Sequence, residues 1–194
     1  MTWTPVLRIG LWNGWLIMSV FLLQMLVMAL AGKRVMKRSH VAADFRRERG
    51  KGYVSLLANL LWLMALILSV FLPLQAATLW FYAGLVLAGL GALILSASTV
   101  AFIRTPPDRA IKNGVYRFSR HPMYLSTFLV CLGCGLATGS PILVLICMPM
   151  AWSFREEAIV EEQFCLSRYG RDYQDYLTRA GRWWGIRRNH SRIV

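Results

Sequence analysis

The chain has 194 residues, 57% of them hydrophobic and only 16% charged, with a formal net charge of +13 and a mean hydropathy of +0.48. That much apolar surface excludes both a disordered chain and an ordinary water-soluble globule, which carries roughly 25% charged residues. Four cysteines do not make a disulfide scaffold, so the chain reads as an integral membrane protein of the all-α class.

Three runs free of charge, Leu11–Ala31, Tyr53–Leu72 and Ala76–Ile103, contain 21, 20 and 28 residues. Each is long enough to cross the hydrocarbon core as a helix, which takes about 20 residues. Ala29-Leu30-Ala31 resembles a signal-peptidase site. The run is too long for a signal core, however, and the basic cluster directly after it opposes export, so a retained helix is expected. Two shorter runs follow, Tyr124–Gly139 and Pro141–Phe154, parted only by the breaker Gly139-Ser140-Pro141. This pattern predicts a tight helical hairpin. The first member gains a turn by starting at Pro122, and the second runs past Phe154 into water as one long helix. Five spans result, the last two forming the hairpin.

Of 22 Lys and Arg, eight lie in Lys33–Lys51, five in Arg104–Arg120 and eight from Arg155 onward, whereas Pro73–Gln75 and Gly139–Ser140 carry none. The positive-inside bias then puts the N-terminus outside and the C-terminus in the cytoplasm. All nine acidic residues fall on the same inner side. The division is into residues 1–103, three N-terminal spans with the basic loop 33–51, and residues 104–194, which hold the polar chemistry. The positive charge needs no nucleic-acid partner, since anionic lipid heads account for it and no aromatic-basic recognition motif is present. The tail Arg182-Trp183-Trp184-Gly185-Ile186-Arg187-Arg188 reads as an interfacial anchor, indoles at headgroup depth and guanidiniums at phosphates.

Gly84, Ala88 and Ala92 recur every four residues beside Gly91, a small-residue face for close helix packing, either within the bundle or between subunits. Cys131 and Cys134 sit in an apolar run with no acidic or His neighbour, and His40, His121 and His190 occupy three separate segments. No metal site is expected from these spacings. The nine methionines read as lipid-facing or core filler.

Two polar stretches remain. In Lys112–Tyr124 an Asn113-Gly114 turn leads through Tyr116 and His121 to the start of the fourth span. In Arg155–Tyr176, Glu157 and Glu161 share a helix face, and Tyr169-Gly170, Tyr173 and Tyr176 follow. The hairpin returns the second stretch to the same bilayer face as the first, so the two are expected to form one pocket of rings, carboxylates and basic groups.

Gly114-Val115-Tyr116, Arg120-His121-Pro122-Met123-Tyr124, the hairpin, Glu161-Glu162, Tyr169-Gly170, Tyr173 and Tyr176 together resemble the isoprenylcysteine carboxyl methyltransferase family. That family belongs to a wider group with membrane phospholipid methyltransferases. The resemblance covers about the last 90 residues. It implies binding of S-adenosyl-L-methionine, released as S-adenosyl-L-homocysteine, by the cytoplasmic C-terminal part, and a lipophilic acceptor such as a prenylated thiol or a lipid. Carried over, Tyr116, His121, Pro122, Met123 and Tyr124, with backbone around Ile111 and Val115, line the cofactor, and Glu161 is its acidic ligand. The family's substrate-contacting arginine aligns with Glu157, the nearest arginine being Arg155, so these two are the catalytic candidates. Leu125-Ser126 and Arg179-Ala180-Gly181 depart from the family pattern, in which a glycine follows the tyrosine and a Val-Pro pair closes the motif. Glu162, about 100° round an ideal helix from Glu161, is expected to turn away from the cofactor.

Overall fold

The computed structural model describes residues 7–32, 35, 50 and 52–185. The expected basic loop 33–51, apart from residues 35 and 50, lies outside these, as do His40, His190 and the tail beyond Gly185. Among the described residues six α-helices follow one another: α1 Trp15–Leu30, α2 Gly52–Phe71, α3 Leu79–Arg104, α4 Pro122–Ala137, α5 Pro141–Tyr169 and α6 Arg171–Arg179. A single 3-10 turn, Gly114–Arg117, precedes α4. Among the described residues there is no strand, only two isolated bridges, Asn13 to Pro73 and Ser119 to Gly181. The chain is all-α, as composition requires. Helices α2 and α3 are long and apolar enough to cross a membrane, whereas α1 and α4 are shorter apolar helices.

The first helix starts later than its apolar run, and a buried polar residue is the reason. Asn13 donates from Nδ2 to the carbonyls of Arg8 at 2.6 Å and Val70 at 2.7 Å. Leu74 N and Gly14 N close further bonds to Trp12 O and Leu72 O. Residues 11–14 thus satisfy the backbone of the α2–α3 connection, and helical bonding begins only at Trp15. Thr78 caps α3 by accepting from Phe81 N at 3.1 Å, the usual service of a threonine before a helix.

Helices α3 and α4 touch backbone to backbone. A Cβ on Gly84 would lie 2.4 Å from Gly133 O and 2.5 Å from Ala137 N, and one on Gly133 would lie 2.5 Å from Gly84 O. Gly91 packs less tightly on Ser126 and Val130, with approaches of 2.8 to 3.0 Å. Gly84, Ala88 and Gly91 are therefore buried inside one chain, which decides between the two uses of the small-residue face, and Ala92 at its edge is half-buried. Cys131 and Cys134 fill the core beside Met18, Phe21, Ala65 and Met150. Among the described residues no cluster fit for a metal occurs.

The hairpin forms as the breaker predicts. Gly139 adopts φ 61°, a conformation glycine tolerates at no cost, and Ser140 caps α5 by accepting from Leu143 N. Helix α5 then runs unbroken for 29 residues despite Pro149. At 1.5 Å per residue it spans about 43 Å, more than the ~30 Å of hydrocarbon. Its apolar first half packs in the core, and its charged second half reaches the segment before α4.

A candidate cofactor site at the start of the fourth helix

Local sequence builds this corner from three stretches. Gly114 takes φ 63°, letting the chain turn into Gly114–Arg117 and bury Tyr116. Ser119 then accepts from His121 N at 3.2 Å, holding the residue just ahead of Pro122. His121 is only 5% exposed. Its ring lies between two carboxylates of α5, with Nε2 3.3 Å from Glu162 Oε1 and Nδ1 3.6 Å from Glu161 Oε2. Burial disfavours the imidazolium, but the Glu161 and Glu162 hydrogen bonds and charges outweigh it and raise the pKa above the usual 6.5.

An aromatic stack descends from this ring. Tyr124 lies parallel to His121 at 5.7 Å between centroids, and Phe154 of α5 lies parallel to Tyr124 at 5.1 Å. Tyr116 faces the other helix, α6. Its carbonyl accepts from Tyr176 Oη at 2.6 Å, and Tyr173, Tyr176, Ala110 and Ala180 form a small core there. Burial pushes both phenols far above their ordinary range, so they stay neutral donors.

Glu162 is the hub that sequence reading missed. Arg182 grips it with Nε at 3.0 Å and Nη2 at 2.8 Å, and Arg120 Nη2 lies 3.3 Å away, itself buried. Burial alone would raise the carboxyl, yet His121, Arg182 and Arg120 together hold it down to about 2. Glu162 reaches the same ring as Glu161 for a simple reason. The two nitrogens of one imidazole point in different directions, and so span two side chains 100° apart on the helix.

The tail also departs from its expected role. Arg182 and Trp183 belong to the site rather than to a lipid anchor, since Arg120 N donates to Gly181 O at 3.0 Å and Trp183 lies 6.3 Å from the His121 ring. Of the described tail residues, Trp184, 70% exposed and stacked on Phe118, keeps the outward position. The signal was in the charges: two arginines and a histidine flank the segments around a glutamate pair.

The remaining candidates divide. Pro122 is buried, and Ile111, Val115, Met123 and Glu161 are half-buried around the corner. Arg155 is exposed and pairs with its neighbour Glu156 at 2.9 Å, with no described contact to His121 or Glu161. Glu157 is 6% exposed, and neither a hydrogen bond nor an ion pair joins it to any described residue. A cavity of about 700 Å³ opens beside the Asn113–Gly114 turn, and its lining includes Arg104, Arg109, Lys112 and Asp172 but none of the candidate side chains.

The donor set of the His121 corner, aromatic rings beside a partly exposed carboxylate, has the chemistry to meet a cationic, amino-bearing ligand. Ring faces attract such a cation by about 0.5–2 kcal/mol each once it is desolvated. Glu161, whose side chain is 32% exposed, presents a reachable carboxylate for charge-assisted hydrogen bonds.

Comparisons with known proteins cover part of this region. The family model described as phospholipid methyltransferase matches residues 77–172. Protein-S-isoprenylcysteine O-methyltransferase of Saccharomyces cerevisiae is 33% identical over 72 residues, 37% of this chain and 30% of the relative. The Schizosaccharomyces pombe protein of the same name is 30% identical over 78 residues, 40% and 33% of the two chains. The probable protein-S-isoprenylcysteine O-methyltransferase of Oryza sativa subsp. indica is 27% identical over 160 residues, 72% of this chain and 84% of the relative. The alignment thus spans about a third of the yeast relatives' length and most of the rice one.

Proposed function

We propose that this chain, which matches the phospholipid methyltransferase family model over residues 77–172 and is similar to isoprenylcysteine methyltransferases, is an integral-membrane enzyme that methylates the carboxylate of an isoprenylcysteine-type, lipid-linked acceptor. S-adenosylmethionine, when bound, supplies an electrophilic methyl group on a sulfonium centre. The observation that carries the reading is the seat of His121 between Glu161 and Glu162, stacked on Tyr124 and Phe154. It joins two stretches 41 residues apart into one aromatic corner with Glu161 as its reachable carboxylate.

In this reading Glu161 accepts hydrogen bonds from the cofactor's amino group or ribose hydroxyls, with Tyr116, His121, Pro122, Met123, Tyr124 and the backbone at Ile111 and Val115 around it. The buried rings exclude water. A carboxylate acceptor needs no proton removed, so residues 104–194 have one task, to place the reacting atoms about 3–3.5 Å apart. A dry pocket also favours a displacement in which cation and anion lose their charges. Five spans, with the C-terminus and the site on the cytoplasmic side, give the soluble cofactor and the lipophilic acceptor separate entrances.

Glu157 favours a second reading, a phospholipid amine as acceptor. A largely buried carboxylate with no hydrogen bond or ion pair to a described residue repels a substrate carboxylate but attracts an ammonium, and can take the proton that an amine must lose before attack. Arg155, the other catalytic candidate, serves the carboxylate acceptor instead. A transfer assay with radiolabelled methyl donor against prenylated cysteines and aminophospholipids tests both. Labelling of the prenylated cysteines supports the first reading. Labelling of amines alone, on an ascending pH limb abolished in Glu157→Gln, replaces it with the second. Calorimetry showing no S-adenosylhomocysteine binding at micromolar concentration overturns both.

A further inference from the structure

The cavity beside Asn113–Gly114 is chemically unlike the His121 corner. One wall is the last two turns of α3, Ala97, Val100 and Ala101, and the rim is basic, with Arg104, Arg109 and Lys112. Asp172 is the acidic residue of the lining, and Lys112 already pairs with it. The rim therefore keeps a surplus of positive charge. Arg104 makes no ion pair or hydrogen bond through its side chain to any described residue.

The apolar wall does not end at the cavity. Val86, Leu90, Leu93 and Val100 are 62%, 50%, 70% and 44% exposed. With Ala97 their spacing of three and four residues makes one continuous stripe down the outside of α3. That stripe faces away from the α4 contact made by Gly84, Ala88 and Gly91. It leads directly to Arg104, the last residue of the helix, and small side chains at Ala97 and Ala101 leave the hollow at its foot. An apolar track of this length ending in a basic hollow complements an amphiphile, whereas a free anion would use only the rim.

We propose that this cavity holds the phosphate headgroup of an anionic membrane phospholipid, with an acyl chain lying along the outer stripe of α3. Arg104 is the principal phosphate partner, because a guanidinium offers two parallel donors to two phosphate oxygens and its alkyl stem continues the apolar wall. Arg109 adds charge at the mouth. No candidate side chain of the methyl-transfer corner lines this cavity, though Lys112, Asn113 and Gly114 lie between Ile111 and Val115 in the chain, and the proposal does not depend on that assignment.

The test uses the full chain in neutral detergent, with thermal unfolding followed during titration. The probes are dioctanoyl phosphatidylglycerol, dioctanoyl phosphatidylcholine and inorganic phosphate. Phosphatidylglycerol is expected to raise Tm saturably, and the other two to have little effect at equal concentration. Arg104→Gln is expected to weaken the apparent affinity about fivefold, the contribution of one headgroup-facing cation. Ala97→Trp, which fills the hollow and leaves every charge in place, is expected to weaken it at least as much. S-adenosylhomocysteine affinity stays unchanged in both variants. Equal responses to the two lipids, a response reproduced by phosphate alone, or an undiminished phosphatidylglycerol response in both variants would each overturn the proposal.

Discussion

Arg182 holds Glu162 through two nitrogens, Nε at 3.0 Å from one carboxylate oxygen and Nη2 at 2.8 Å from the other. This fork ties the C-terminal segment across α5, with Glu162 only 9% and Arg182 31% exposed at the side chain. Arg182→Gln is expected to destabilise the protein by about 1–3 kcal/mol, less than the loss of a fully buried pair because solvent reaches the guanidinium. Arg182→Lys recovers only part of this, since an ammonium cannot make the parallel pair. Thermal unfolding in detergent measures both. A neutral Arg182→Gln would return the tail to the lipid-anchor role.

The same cluster sets a pH window for stability. The Glu162 carboxyl is held at about 2, below its ordinary 4.5, by His121, Arg182 and Arg120 against the opposing effect of burial. Its contribution is fully present above pH 4.5 and is lost as pH falls toward 2, a loss on the order of 3 kcal/mol. His121 has the opposite sign. Its raised pKa means that its contribution is present below pH 6.5 and fades as pH rises through the folded value. Stability should therefore peak in weakly acidic solution and fall on both sides. His121→Gln is expected to flatten the alkaline fall and to leave a smaller acid one, since Arg182 and Arg120 still hold Glu162 down. An unchanged alkaline limb in that variant would separate His121 from the effect.

Glu161 and Glu162 touch the same imidazole yet do different work. Glu162 is saturated by Arg120, His121 and Arg182, whereas Glu161 keeps a solvent-accessible edge. Glu161→Gln is expected to weaken S-adenosylhomocysteine binding by about tenfold or more, the cost of a charge-assisted hydrogen bond, with little change in Tm. Glu162→Gln is expected to lower Tm first. His121→Ala lowers both, because it removes the ring that the two carboxylates share. Calorimetry and melting on the three variants distinguish these outcomes, and equal affinity losses at Glu161 and Glu162 without a Tm change would dissolve the distinction.

These roles mark where sequence reading succeeds and where it stops. Gly139-Ser140-Pro141 announces the hairpin because turn and cap chemistry is local, and that hairpin alone brings Glu161 back to His121. The small residues of α3 announce a packing face, but choosing its partner needed Gly133 and Ala137 in place. The contact of Glu162 with His121 was not legible because helix geometry fixes where a side chain leaves the backbone, not what its partner can reach. Arg182 and Trp183 were misjudged because an Arg-Trp-Trp tail satisfies a membrane interface as well as it does a buried glutamate. Only the return of the chain at Gly181, bonded to Arg120, separates the two.

The α3–α4 contact carries the last prediction, and it concerns the platform beneath the site. Because α4 begins at Pro122, beside His121, its position depends on how closely α3 approaches it. A methyl group on Gly84 would sit 2.4 Å from a backbone oxygen and 2.5 Å from a backbone nitrogen, neither of which can rotate away. Gly84→Ala must push the helices apart, at an expected cost of about 1–3 kcal/mol or more. Gly89 lies on the same helix with nothing within 4 Å of the added carbon, so Gly89→Ala is expected to be neutral or slightly stabilising through helix propensity. Side-by-side melting of the two variants isolates the contact from the propensity. If displacement of α4 reaches His121, Gly84→Ala also weakens S-adenosylhomocysteine binding although the residue lies in a different helix from every proposed ligand. Equal melting of the two glycine variants would show that the helices are held by something other than this backbone contact.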